Sequence, residues 1–167
     1  HSTHLVFKFA PEVEPEQQLK LKVELNTREH QPLYRLRKYP FEVENSWYRG
    51  AMEIISFEQE EIFGTKLRAL LQRHKNRDLF DLYEGVRTLD LDTERLIRCF
   101  DHYLGLEGRP ISRANAEKRM LQKLNQSLTD DIAPLLPTGL TFTDDDAVLA
   151  FGTVWRELIE RIDGNPW

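Results

Sequence analysis

Residues 56–85 read Ser56-Phe-Glu-Gln-Glu-Glu-Ile-Phe-Gly-Thr-Lys-Leu-Arg-Ala-Leu-Leu-Gln-Arg-His-Lys-Asn-Arg-Asp-Leu-Phe-Asp-Leu-Tyr-Glu-Gly85. The opening is that of a helix: Ser56 stands as an N-cap with Gln59 at the capping-box position, and Glu58, Glu60 and Glu61 complement the positive end of the helix dipole. Phe63, Leu67, Leu70 and Leu71 then recur at helical spacing and form one apolar stripe, with Lys66, Ala69 and Arg73 on the stripe beside it. From Lys66 to Arg77 there are five Lys or Arg, one His and no acid, after which Asp78 and Asp81 stand three residues apart on a second helix. Charges on a helix are most often its solvated face. In that reading Asp78 caps the second helix and the cations soften the negative end of the first. The alternative is a site in which cations meet carboxylates on short rigid elements.

Upstream the periodicity changes from helical to alternating. Leu5–Phe9, Leu19–Leu25, Tyr34–Arg37, Phe41–Val43 and Met52–Ile55 read as strands, punctuated by Pro11, Pro15, Pro32 and Pro40. In the second of these, Leu19, Leu21, Val23 and Leu25 take one face while Lys20, Lys22, Glu24 and Asn26 take the other. Downstream the chain is helical. Leu96, Ile97, Phe100, Tyr103 and Leu104 make one stripe capped by Asp92 or Thr93, and Ala116, Met120, Leu121, Leu124 and Leu128 make another capped by Ser112. Residues 134–139 form a loop. Thr143 and three aspartates then open a last helix whose Phe151, Trp155, Leu158 and Ile162 face the core.

The chain's 167 residues, 40% hydrophobic and 31% charged, can bury one ordinary core. A β-rich part over residues 1–55 and a helical part over 56–167 are expected to pack as one α+β domain. The net charge of -5 argues against a uniformly basic nucleic-acid coat. The distribution is uneven, however, since residues 20–38 and 66–77 are rich in Lys and Arg, whereas only Arg156 and Arg161 follow Lys123, against eight acids. A locally basic face suits a phosphate-bearing substrate. Cys99 is the single cysteine, which excludes an internal disulfide and fits a cytoplasmic setting. No stretch approaches the roughly 20 apolar residues of a membrane span.

Several short motifs carry no chemistry of their own. Asp90-Leu-Asp92 has the spacing of a metal pair but precedes a helix, where capping explains it. Asp144–Asp146 is what dipole chemistry selects at a helix start. The five histidines have no zinc-ligand spacing.

The string Gly64-Thr-Lys66-Leu-Arg-Ala-Leu, then Gln72-Arg73, then Lys75-Asn-Arg77-Asp78-Leu-Phe-Asp81-Leu-Tyr83 closely resembles the AbiEii/AbiGii toxin family of bacterial nucleotidyltransferases. Leu21-Lys-Val-Glu24-Leu-Asn-Thr-Arg28-Glu-His30 is similar to another segment of that family, a strand whose carboxylate points into the active site. The resemblance implies a nucleotidyltransferase fold with Glu24, Lys66 and Asp78 as catalytic groups. It implies phosphate or substrate contacts for Lys22, Arg28, Arg73, Lys75 and Asp81. The family also carries a Gly-Ser turn followed by an Asp-x-Asp pair that binds Mg2+, and that upstream part is not in the sequence. The expectation is therefore a C-terminal portion, inactive alone, with Glu24 as its one metal ligand and weak or no Mg2+ binding. A nucleoside triphosphate, an RNA or protein acceptor and a cognate antitoxin are the implied partners, with no membrane. The sheet, as half of a larger one, would have an open edge suited to homodimerisation. A second class stays open, a non-catalytic module that holds nucleotide, RNA or a partner protein.

Overall fold

The computed structural model describes residues 2–13, 16–26 and 31–167. Its elements run β1 (Ser2–Phe9), β2 (Leu19–Asn26), β3 (Arg37–Glu44), β4 (Arg49–Ser56), α1 (Gln59–Gln72), α2 (Arg77–Thr88), α3 (Thr93–Leu106), α4 (Arg113–Lys123) and α5 (Asp144–Glu157), with short 3-10 turns at Ala133–Leu135 and Ile159–Arg161. The class is α+β, as the alternation followed by helical stripes predicts. The chain divides into two compact units, residues 1–32 and 33–167. The second unit takes the β3–β4 ribbon together with the helices.

The first unit holds one antiparallel ribbon, β1 with β2, in which Leu5 pairs with Val23 and Phe7 with Leu21. Alternation puts these four on one face, and His4, Lys22 and Glu24 on the other. In the second unit β3 and β4 form a ribbon of their own, with Tyr39 opposite Ile54 and Phe41 opposite Met52. The strands thus make two two-stranded sheets. The expected strand at Tyr34–Arg37 begins only at Arg37, because residues 33 and 34 are taken by the helices. The backbone N–H groups of Leu33 and Tyr34 donate to the Glu61 carboxylate at 2.7 Å and 3.1 Å, and the Tyr34 hydroxyl donates to the Arg95 carbonyl at 3.1 Å.

The core is built by the helices. Leu67, Leu70, Leu79, Leu82, Leu96, Phe100, Met120, Val154 and Leu158 are fully buried in one cluster. Each such side chain contributes about 1.5–3 kcal/mol of burial. Helix α1 lies closest to α3, and Gly64 sets the distance: a Cβ there would stand 2.7 Å from the Cys99 Cβ and 2.8 Å from the Leu96 carbonyl oxygen. Phe80 meets Phe142 edge-on, 5.1 Å between ring centroids. Leu158 and Ile162 are buried as expected, while Phe151 and Trp155 are half-buried against the cluster.

The helix starts partly follow the sequence rules. Asp92 accepts a hydrogen bond from the Arg95 N–H, and Thr143 with Asp146 forms a full capping box. At α1 the cap is Glu58 rather than Ser56, since Ser56 is still paired in β4 opposite Arg37. At α2 the cap is Asn76, and Asp78 sits inside the first turn. In α4 Ala116 and Met120 are buried as read, but Leu121 and Leu124 are exposed and Lys123 is buried on the core-facing side.

Candidate functional site

The acid-free run 66–77 ends α1 and makes the turn into α2, so Lys66 on one helix faces Asp78 and Asp81 on the next. The Lys66 ammonium lies 2.5 Å from Asp81 Oδ2 and 3.9 Å from Asp78 Oδ1. Asp78 and Asp81 are three residues apart and therefore share a face of α2. The two carboxylates differ in setting: Asp81 is 41% exposed and Asp78 only 7%. Among the described residues the buried Asp78 Oδ2 has no hydrogen-bond partner. Burial raises the Asp78 carboxyl above the usual range, against the pull of the nearby Lys66, Arg73 and Arg77 charges, and the Asp81 charge adds to the rise. A buried carboxyl with a raised titration and an unpartnered oxygen makes Asp78 a candidate position for binding or catalysis.

That displacement has a measurable sign. A carboxyl whose folded value lies above its unfolded one binds its proton more tightly in the folded state, so its ionisation lowers stability as pH rises from the unfolded value through the folded one. Asp78→Asn removes this term. Thermal unfolding of the two proteins from acid to neutral pH should show the Asn variant gaining on the wild type as pH rises, then a constant gap. Parallel curves would mean that burial does not oppose the charge.

The turn between the helices is held from below. Lys123, whose side chain is buried on α4, donates to the carbonyls of Arg73 at 2.9 Å and Lys75 at 3.3 Å and to Asn76 Oδ1 at 3.2 Å. The Asn76 N–H donates to Asp131 at 2.7 Å and its amide to the Ser127 carbonyl at 2.9 Å. Burial lowers the Lys123 ammonium from its ordinary value, offset by Asp131 and Asp78. Arg73 and Lys75 are exposed on this turn.

Of the residues expected to act together, the structure joins Lys66, Asp78 and Asp81, with Arg73 close enough for its charge to reach Asp78. Glu24 and Lys22 belong to the other unit, where they pair with each other. Glu24 accepts from Lys22 at 3.2 Å and bonds His4 at 2.9 Å, and these two neighbours pull its carboxyl down to about 2. Arg28 lies outside the described residues. A magnesium ion takes octahedral oxygen donors, commonly one or two carboxylates plus substrate phosphates. Among the described residues no group of three or more His, Cys, Asp or Glu is placed to hold a metal. Asp78 Oδ2 could serve as one oxygen donor, but the Lys66 ammonium stands beside both aspartates where a cation would sit.

Two buried acids were not singled out from the sequence. Glu61 is fully buried and accepts from Leu33, Tyr34 and, at 2.5 Å, the Tyr103 hydroxyl. Glu58 is nearly as buried and is bound by Arg35 at 3.1 Å, Arg37 at 3.3 Å and Arg95. Burial pushes the Glu58 carboxyl up, and the three guanidiniums outweigh it and hold it below its usual value. Arg95 in turn lies 3.9 Å from the centre of the Tyr34 ring. The one signal for Glu61 was its place three residues before Gly64, the position where α1 touches α3.

Residues 1–157 match the family model described as "Nucleotidyl transferase AbiEii toxin, Type IV TA system". The chain belongs to the AbiEii toxin family. No curated protein and no solved structure matches it. No helix among the described residues is long and apolar enough to cross a membrane.

Proposed function

We propose that this chain is the C-terminal portion of a cytoplasmic toxin-type nucleotidyltransferase that moves a nucleotide from a nucleoside triphosphate to an RNA or protein acceptor, and that it is inactive alone. The observation that carries the reading is the Lys66–Asp78–Asp81 group with its orphaned Asp78 oxygen, lying inside the family-matched stretch. Nucleotidyl transfer joins an acceptor hydroxyl to the α-phosphorus and breaks the bond to pyrophosphate. Lys66 gathers negative phosphate oxygens in this reading, and Arg73 and Lys75 neutralise the departing pyrophosphate. Asp78 orients the attacking hydroxyl or accepts its proton, with Asp81 as a further substrate contact. The proposed carboxylate role of Glu24 and the substrate contacts of Lys22 and Arg28 are carried by the resemblance of their own segment to the family. Magnesium is proposed to come with the triphosphate it neutralises. A cognate antitoxin is the proposed regulator.

The test is direct. The 167-residue chain, given magnesium, all four nucleoside triphosphates in labelled form and bulk bacterial RNA, should transfer no label. The same assay on a longer protein with a Gly-Ser turn and an Asp-x-Asp pair upstream should transfer it. Robust transfer by the chain alone would overturn the inactive-portion reading. Silence in both would return the chain to the binding-module class.

A further inference from the structure

At the start of α1 three arginines meet on one buried carboxylate. The Glu58 side chain is 6% exposed, whereas Arg35, Arg37 and Arg95 are 78%, 53% and 33% exposed. They arrive from separate elements: Arg35 from the segment ahead of β3, Arg37 from the first position of β3, and Arg95 from the first turn of α3. Arg35 and Arg37 both donate through Nε, at 3.1 Å and 3.3 Å, to the same oxygen, Glu58 Oε1. Their terminal amino groups donate to no other described residue. Arg95 takes the second oxygen of Glu58 and lies over the Tyr34 ring. Together with Glu60 these side chains wall an open cavity of about 490 Å³.

The arrangement is a buried anchor with exposed arms. Glu58 fixes two guanidiniums along one edge and leaves their terminal amino groups for a second acceptor. It also occupies the N-cap position of α1 without capping it, because its carboxylate is turned to the arginines. The positive end of the helix dipole therefore adds to the same cavity. Against three guanidiniums and a helix N-terminus the wall holds two acids, Glu58 and Glu60, so positive charge is in surplus in a chain of net charge -5.

We propose that Arg35, Arg37 and Arg95, held by Glu58, form a binding site for a phosphate group at the start of α1, supplied either as free phosphate or as the phosphate of a mononucleotide. Guanidinium forks bind oxyanions through paired N–H donors. A carboxylate presents two oxygens in one plane, whereas a phosphate group presents three in a tetrahedron, enough to meet two forks and a helix N–H together. The aromatic ring in the wall is that of Tyr34, and Arg95 takes one of its faces, so recognition falls on the phosphate rather than on a base. The site lies about two helical turns from Lys66 along α1 and shares no residue with the Lys66–Asp78–Asp81 group, which makes it independent of the transferase reading.

The experiment is 15N NMR of the 167-residue chain titrated with inorganic phosphate at fixed ionic strength, without magnesium. Phosphate should shift the Nε–H signals of Arg35 and Arg37 and the backbone N–H signals of Gln59 and Glu60 along one saturating curve. The double variant Arg35→Gln, Arg37→Gln changes two exposed positions and should bind at least tenfold more weakly, while Arg156→Gln on α5 should bind as the wild type does, both folded by circular dichroism. Glu58→Gln adds one positive charge to the wall but loosens the forks. A built site then binds phosphate more weakly, whereas a plain patch of charge binds it more tightly; if Glu58→Gln does not fold, the double variant decides. Adenosine monophosphate separates the two sources: affinity equal to or below that of phosphate assigns the site to free phosphate, and tighter binding assigns it to a mononucleotide. Shifts that persist in the double variant, tighter binding in Glu58→Gln, or adenosine without phosphate moving the same signals would each overturn the proposal. Shifts confined to Lys66, Arg73, Lys75 and α2 would do so as well, since they assign the anion to the site already described.

Discussion

Glu61→Ala is expected to destabilise the 33–167 unit by about 3 kcal/mol or more, because it strands three donors in one step. The carboxylate is fully buried and receives the N–H groups of Leu33 and Tyr34 and the hydroxyl of Tyr103. Leaving a buried donor without an acceptor costs about 1–3 kcal/mol. Two of the three are backbone groups, which cannot rotate away. Glu61→Gln keeps the shape but offers one acceptor oxygen where the carboxylate had two, so its cost should be intermediate. Tyr103→Phe, which removes one donor together with its demand, should cost least. Urea unfolding gives the order directly, and amide hydrogen exchange at Leu33 and Tyr34 should quicken in the Ala variant before the helical core opens. A loss below about 1 kcal/mol in Glu61→Ala would mean that water replaces the carboxylate and that the acid is not what ties residues 33–34 to the helices.

The same carboxylate explains where sequence reading stops. The stripes of α1, α3 and α5 were legible because their apolar positions repeat within one element, and the caps at Asp92 and Thr143 because their partners lie three residues away. Glu58 and Glu61 look like ordinary dipole-complementing acids for the opposite reason: the groups that bury them, Leu33, Arg35, Arg95 and Tyr103, lie 23 to 42 residues off along the chain. A strand pattern at Tyr34–Arg37 was correspondingly misjudged at its start, since a contact with Glu61 outweighs local alternation. Lys123 carries no inward signal in the sequence, yet it faces inward because three acceptors of the α1–α2 turn lie there. Lys66 with Asp78 and Asp81 was legible from spacing and resemblance together. Spacing put the carboxylates on one face of α2 and the resemblance gave a reason for the lysine opposite. The orphaned Asp78 oxygen could not be read in advance, because it depends on how deeply the first turn of α2 sinks into the core.

Lys66→Ala should separate a site from a solvated face by two readouts that move differently. For a solvated helix lysine the change is neutral or slightly stabilising, since alanine is the better helix former. Here the ammonium stands between a half-exposed Asp81 and a buried Asp78, and its removal leaves two carboxylates facing each other without a counter-charge. The exposed Asp81 side of the pair is screened by water and contributes little. The buried Asp78 side brings the cost above about 1 kcal/mol, and it should shrink at low pH, where Asp78 is protonated and needs no partner. In a longer protein carrying the upstream Gly-Ser and Asp-x-Asp elements the larger effect is on transfer. Removing a cation aimed at phosphate oxygens during displacement should cut the transfer rate by roughly 10²-fold or more and weaken triphosphate binding, with the fold intact by circular dichroism. Lys66→Arg keeps the charge but replaces a compact ammonium with a planar fork, so it should restore stability more fully than transfer. Unchanged transfer in Lys66→Ala would return the lysine to the solvated face and withdraw the phosphate roles of Arg73 and Lys75 with it.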